Sequence, residues 1–324
     1  MDLRLGYTEQ INGLLYKLVN KYDTVGWELK NIDNAIKKFN CPAEYKGYPV
    51  ISLYGTFENY SYNTIDISAM DTRNVRSITR MFNRSQNLES IDISMLDTHQ
   101  VVCMESVFSN CNRLKYIKLG HIDTSNVRLM SRIFESCNKL ESIDLSHLEL
   151  SNVKDASAMF YCCDKLQDIK FPTKTIKSLI DTSNMFNECY MLNNLDISFI
   201  DMSKIRDASR MFRKCKALQN INLGKFNIGF GTRTFEIFFD CQSLNTLDLR
   251  NIRVLNSVDK LIVAQMFKGC NNLNTVITSS PVLIGIFKNH YDFDVLSINN
   301  TNNLENLLAK IKLMGSKRTC IYVK

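Results

Sequence analysis

Large apolar residues return along this chain every 26 positions. Phe82, Phe108, Phe134, Phe160, Phe186, Phe212 and Phe238 hold that interval, and Phe267 follows after a three-residue slip. Three residues behind them stand Cys111, Cys137, Cys163, Cys189, Cys215, Cys241 and Cys270, with Ser85 in the first copy. Leucine follows three residues later in every copy, from Leu88 to Leu273. A unit of this length buries its apolar face only against its neighbours, so the register predicts a solenoid of about eight rungs.

In the copy from Leu114 to Lys139, Leu114, Ile117 and Leu119 form an L-x-x-I-x-L pattern whose last part alternates as a short half-buried strand should. Asp123-Thr124-Ser125-Asn126 follows, a run of helix-capping residue types whose oxygens accept bonds from free helical N–H groups. Val127, Met130, Phe134 and Cys137 then fall at i, i+3, i+7 and i+10, one face of a helix. The pattern predicts an α/β leucine-rich-repeat solenoid over residues 57–279, with a parallel concave sheet and short convex helices. Residues 1–56 are expected to form an N-terminal helical cap, from the amphipathic spacing of Ile11, Leu14, Leu15 and Leu18 and a second helix from Ile32 to Phe39. Residues 280–324 are expected to form a C-terminal cap, with a helix from Leu304 to Met314 and a closing strand at Cys320 to Val323, because solenoid ends need shielding.

These residues resemble the BspA-type leucine-rich repeat family, known mainly from bacterial and protist surface proteins. Asn126-Val127, Met130, Phe134, Cys137, Leu140 and Ile143-Asp144-Leu145-Ser146 carry the resemblance, as do Asn152-Val153, Met159-Phe160, Cys163 and Leu166. It covers roughly residues 57 to 279. The resemblance implies a curved solenoid used for protein or surface binding, with no catalytic residues to carry over. The chain departs from the family pattern in two ways. Its start, Met1-Asp2-Leu3-Arg4, has neither a basic nor an apolar leader segment, so no export signal is expected. Its last rungs lose the pattern, with Gly231 at an apolar position and Thr278 ending a strand.

Composition adds less. Of 324 residues 45% are apolar, ample for a core, and the net charge of +7 is too small to identify a nucleic-acid binder. No apolar run is long enough to span a membrane. Seven of the eleven cysteines occupy one apolar repeat position, so they read as reduced, buried thiols of a cytoplasmic protein, one that delivery into another cell's cytosol would also suit. His121 and His147 stack one rung apart beside the acidic column Asp71, Asp97, Asp123 and Glu149. These read as surface histidines and capping acids rather than a metal site.

No phosphate-cradling loop or catalytic motif is present, so the expectation is a protein that is not an enzyme, with no cofactor, metal or small-molecule substrate. Two surfaces are candidates for partners. The concave strip around Tyr116, Lys118, Asp144, Lys170 and Asp196 is an alternating-charge ladder suited to a protein partner. The convex positions Arg76, Arg80 and Arg84, with Arg206, Arg210 and Lys214, form a broken basic column that is the nucleic-acid alternative. The leading reading is a leucine-rich-repeat protein that binds one macromolecule, a protein, as an intracellular inhibitor or effector. A surface adhesin lacking its export signal is the other alternative.

Overall fold

The computed structural model describes residues 3–31, 37–229, 231–255, 263, 265–298, 304, 305, 308 and 318–323. The chain forms two compact units, Met1–Thr173 and Lys174–Lys324.

The first unit opens with β1 (Thr8–Ile11), β2 (Leu14–Lys21), β3 (Thr24–Asn31), β4 (Lys38–Cys41), β5 (Glu44–Tyr45) and β6 (Tyr48–Ser52). Five of these make a sheet in the order β1-β2-β3-β6-β5. Its antiparallel pairs are joined by tight turns at Asn12-Gly13, Tyr22-Asp23 and Lys46-Gly47, all with left-handed φ, the geometry that matches the twist of paired strands. The expected helical cap is therefore wrong. Ile11, Leu14, Leu15 and Leu18 belong to a β-hairpin whose Asn-Gly turn overrides the helical spacing. Ile32 to Ile36 lie outside the described residues, and Phe39 is in β4. Trp27 is fully buried here, donating from Nε1 to the Tyr45 carbonyl at 2.7 Å.

Repeating rungs follow, marked by β7 (Asp66–Met70), β8 (Ser90–Asp92), β9 (Tyr116–Lys118), β10 (Ser142–Asp144) and β11 (Asp168–Lys170). β4 pairs with β7, β8 with β9 and β10 with β11, all in parallel. The expected strand positions are correct. The rings of Phe57, Phe82, Phe108, Phe134 and Phe160 stack through this unit at 5.1, 5.6, 5.9 and 5.4 Å, with interplanar angles of 4° to 15°. Phe39 closes the column edge-on against Phe57 at 4.5 Å.

The convex helices are not there. Among the described residues the segment carrying Val, Met, Phe and Cys is a train of tight turns in the rungs of Phe82 through Phe238. In one rung the N–H groups of Met81, Asn83 and Ser85 donate to the carbonyls three residues back. Those of Ile78, Arg80, Phe82 and Arg84 donate instead to Cys103, Glu105, Val107 and Ser109 of the next rung. Half the donors are satisfied locally and half by the neighbour, so no helix is needed to satisfy the backbone. The turns need left-handed φ at their third residue. Arg80 and Arg84 supply it at 56° and 60°, and Ser106, Asn110, Arg132, Ser136, Ala158 and Cys162 repeat it. Two such residues per rung cost about 2–4 kcal/mol. Four inter-rung bonds at about 0.5–1.5 kcal/mol each return a sum of the same order.

The capping run is likewise reassigned. Asp123 Oδ1 accepts from the Ser125 N–H two residues on, an Asx turn rather than a helix cap. Thr124 donates to the Glu149 carbonyl of the next rung at 2.9 Å, and Asn126 donates to the His99 carbonyl of the previous one at 2.7 Å. Thr124 and Asn126 thus fasten the rungs on either side, while Asp123 shapes the turn itself.

The second unit repeats the plan with β12 (Asn194–Ile197), β13 (Asn220–Leu223), β14 (Phe226–Ile228), β15 (Thr246–Asp248), β16 (Ile252–Val254) and β17 (Thr275–Thr278). It ends in α1 (Pro281–Tyr291), β18 (Asp294–Ile298) and β19 (Thr319–Val323). β15, β17, β19 and β18 form a parallel sheet in that order. Phe186, Phe212, Phe238 and Phe267 stack at 5.2 to 5.7 Å, and Phe287 of α1 covers the last ring at 4.9 Å. The closing strand is where it was expected, as β19. Most of the helix expected from Leu304 to Met314 lies outside the described residues. No helix among the described residues is long and apolar enough to cross a membrane.

Candidate binding surfaces

The cysteine column shows what its residues do. Cys111, Cys137 and Cys163 donate from Sγ to the carbonyls of Phe82, Phe108 and Phe134 in the preceding rung, at 3.1, 3.3 and 3.0 Å. Cys215, Cys241 and Cys270 do the same in the second unit. Ser85 donates to the Phe57 carbonyl at 2.9 Å, which explains why serine can stand in the cysteine slot. All eleven cysteines are free and all but Cys162 are buried. Burial pushes the Cys111 and Cys215 thiols up to about 12, and Cys137 and Cys163 are raised for the same reason. Such thiols pack; they are not nucleophiles.

On the strand face of the first unit, Tyr116 stands at the start of β9 and Lys118 at its end. Asp144 ends β10 and Lys170 ends β11. The charges pair within the face: Lys118 Nζ lies 2.7 Å from Asp92 Oδ2, Lys170 3.7 Å from Asp144, and Lys115 3.5 Å from Glu89. The Lys118 bond, with that of Ser94, holds the Asp92 carboxyl down to about 2. Ser146 lowers Asp144 similarly. Tyr116 is 71% exposed, because the equivalent positions on either side are the small Ser90 and Ser142. Met95, in the turn after β8, is 68% exposed. Asp196 sits on β12 of the second unit, where burial works against its charge but bonds from Ser198 and Asn222 lower it overall.

The basic column is less available than its sequence suggests. In the second unit Lys214 reaches Glu188 at 2.7 Å and Arg210 reaches Glu236 at 3.2 Å, while Arg213 bridges both carboxylates. Arg206 is exposed. In the first unit Arg84 is exposed, Arg80 lies over the Tyr54 ring at 5.9 Å, and Arg76 donates from Nη1 to the Tyr22 carbonyl at 2.6 Å.

That last bond marks a feature the sequence did not reveal. The tip of the β2–β3 hairpin, pinned by Arg76, walls a groove of about 940 Å³. Its floor is a second ladder of single parallel bridges, Ser77 to Cys103 to Leu129. Tyr22, Tyr54 and Leu129 are each a little over one-third exposed in it. Only the two-residue turn at Tyr22-Asp23 hinted at a hairpin, and nothing in the linear sequence places that turn beside rungs more than fifty residues on. His121 and His147, expected to stack, do so with ring centroids 6.0 Å apart. No group of three or more metal-binding side chains forms among the described residues.

Stacked rungs of about 26 residues, parallel strands and an interior of rings, leucines and thiols define a leucine-rich-repeat-like β-solenoid. The chain belongs to the family described as "Mycoplasma protein of unknown function, DUF285", which it matches over residues 51–174 and 180–282. No curated protein matches it. Among solved structures it is similar to a leucine-rich repeat protein of T. pallidum, at 13% identity and a TM-score of 0.42, covering 82% of this chain and 91% of that one. It is also similar to TLR13 in a TLR13–ssRNA13 complex, at 16% identity and a TM-score of 0.30, covering 89% of this chain and 40% of that one.

Proposed function

We propose that this protein is a non-enzymatic scaffold that binds a protein partner through the strand face of its first unit. One observation carries the reading: Tyr116 projects, 71% exposed, from β9, which pairs in parallel with β8 of the preceding rung. An aromatic ring held on rigid backbone contributes contact area at small ordering cost, and tyrosine is a residue type on which binding energy concentrates. The pairs Lys118–Asp92 and Lys170–Asp144 around it are self-neutralising, which suits a polar rim rather than a charge-driven site. The carboxylates of Glu188 and Glu236 beside Arg210 and Lys214 work against a nucleic-acid tract. Eleven free cysteines support a reducing compartment such as the cytoplasm, and the BspA-type resemblance supports a binding role.

A photo-crosslinking amino acid placed at Tyr116, followed by mass spectrometry of the adduct from the native host, tests the proposal. The captured protein, once purified, should bind the wild type and lose affinity for Tyr116→Ala and for Lys118→Glu/Lys170→Glu. Arg206→Glu should bind as the wild type does. A partner lost with Arg206→Glu and kept by Tyr116→Ala refutes the assignment.

A further inference from the structure

The geometry points to the groove beside the β2–β3 hairpin as a second binding site, one that takes an extended peptide segment in which acidic and apolar residues alternate. This goes beyond the strand-face reading and does not depend on it. Arg128 and Lys154 stand one rung apart on the groove wall, both exposed. Neither has a carboxylate within 4.0 Å among the described residues, whereas most cations on the strand face are paired. Arg76, two rungs before Arg128, spends one N–H on the Tyr22 carbonyl and has no carboxylate partner among the described residues. Three unneutralised cations on one side of a groove call for an anionic occupant.

The remaining lining selects among anions. Asp23 and Glu105 also face the groove, and both would repel a continuous phosphate backbone. Lys21 lies 5.3 Å over the Tyr54 ring and Arg80 lies 5.9 Å from its centre, so that face is not free to stack a base. Leu129 in the floor ladder is 36% exposed, and Val102 puts an apolar side chain between Arg76 and Arg128. A strand presents alternate residues to opposite sides, so acids directed at Arg128 and Lys154 would leave the intervening residues over that floor. From Arg76 to Lys154 is three rungs, roughly 14 Å at the spacing of parallel strands, enough for about four extended residues.

The test is fluorescence anisotropy with the full chain at low salt, using fluorescein-labelled Glu-Leu-Glu-Leu-Glu. The serine-substituted peptide Glu-Ser-Glu-Ser-Glu and a short single-stranded DNA are the comparisons. Glu-Leu-Glu-Leu-Glu should bind most tightly, and Arg128→Glu/Lys154→Glu should weaken it about tenfold or more. Leu129→Ser should erase the preference for the leucine peptide, and Arg206→Glu should change nothing. If the double reversal melts early, Arg128→Gln/Lys154→Gln replaces it, with amide shift changes in the wild type expected at Tyr22 and Leu129. Absence of binding, equal binding by wild type and the reversed variant, or DNA that binds tighter and displaces the peptide overturns the proposal.

Discussion

Removing one ring from the phenylalanine column tests the central argument about stability. Phe134 is 1% exposed and lies between Phe108 at 5.9 Å and Phe160 at 5.4 Å, both nearly parallel to it. Phe134→Ala should cost about 3–5 kcal/mol, since the rungs on either side are tied by backbone bonds and cannot collapse into the cavity. Of that, each lost ring pair accounts for about 0.5–1.5 kcal/mol beyond the buried area. Phe134→Leu keeps most of the apolar volume and should cost about 1–3 kcal/mol. Because contacts in a stack are nearest-neighbour, Phe134→Ala and Phe160→Ala should couple by about 0.5–1.5 kcal/mol. Phe57→Ala, with two rings between it and Phe134, should add to Phe134→Ala independently. Urea denaturation read by circular dichroism and by the buried Trp27 measures all of these. A cost for Phe134→Ala under about 1 kcal/mol, or equal coupling for the near and distant pairs, refutes the reasoning.

Four further outcomes are expected. Thiol labelling of the native protein at neutral pH should reach Cys162 first and leave the buried column untouched until denaturant is added. The thiols raised by burial stay protonated while those of the unfolded chain ionise, so their contribution to stability is whole below the ordinary thiol value of about 9 and is lost as pH rises toward 12; a flat alkaline unfolding profile contradicts this. Ser85 Oγ accepts from Tyr60 N–H at 3.2 Å while donating to Phe57, so Ser85→Ala should cost about 1–3 kcal/mol and Ser85→Cys less, by thermal melt. The Asp92 carboxyl should titrate near 2 by NMR, its small contribution being present above about 4 and lost as pH falls through 2; Lys118→Met should move the midpoint upward, and an unchanged midpoint excludes the pairing with Lys118.

The repeat, the strands and the buried phenylalanine and cysteine columns were legible because each is a one-dimensional pattern that stacking copies from rung to rung. The helices were misread because helical spacing is ambiguous here. Val127, Met130, Phe134 and Cys137 fall on one side of a helix, but a train of three-residue turns returns them to one side as well. What separates the two is where the N–H groups go, and that is decided by the next rung, 25 residues away. The hairpin at Asn12-Gly13 was legible in principle, since its turn dipeptide is a stronger local signal than the spacing of Leu14 and Leu18.

The binding surfaces were half legible, for a related reason. Sequence shows which residues share a column and not which way each reaches. Lys118 lies between Asp92 and Asp144, and only the structure shows its ammonium turned back to Asp92 at 2.7 Å. The left-handed positions make the point more generally. Their φ is fixed by bonds between rungs, so Arg80, Ser106, Arg132 and Ala158 occupy one such column with side chains of unlike size and charge. The backbone does not dictate what stands there. Interior columns must repeat because each ring, leucine and thiol is packed by its own equivalent. Outward columns are free to differ from rung to rung, so specificity is to be sought where the repeat breaks: Tyr116 between two serines, and Arg128 and Lys154 beyond Val102.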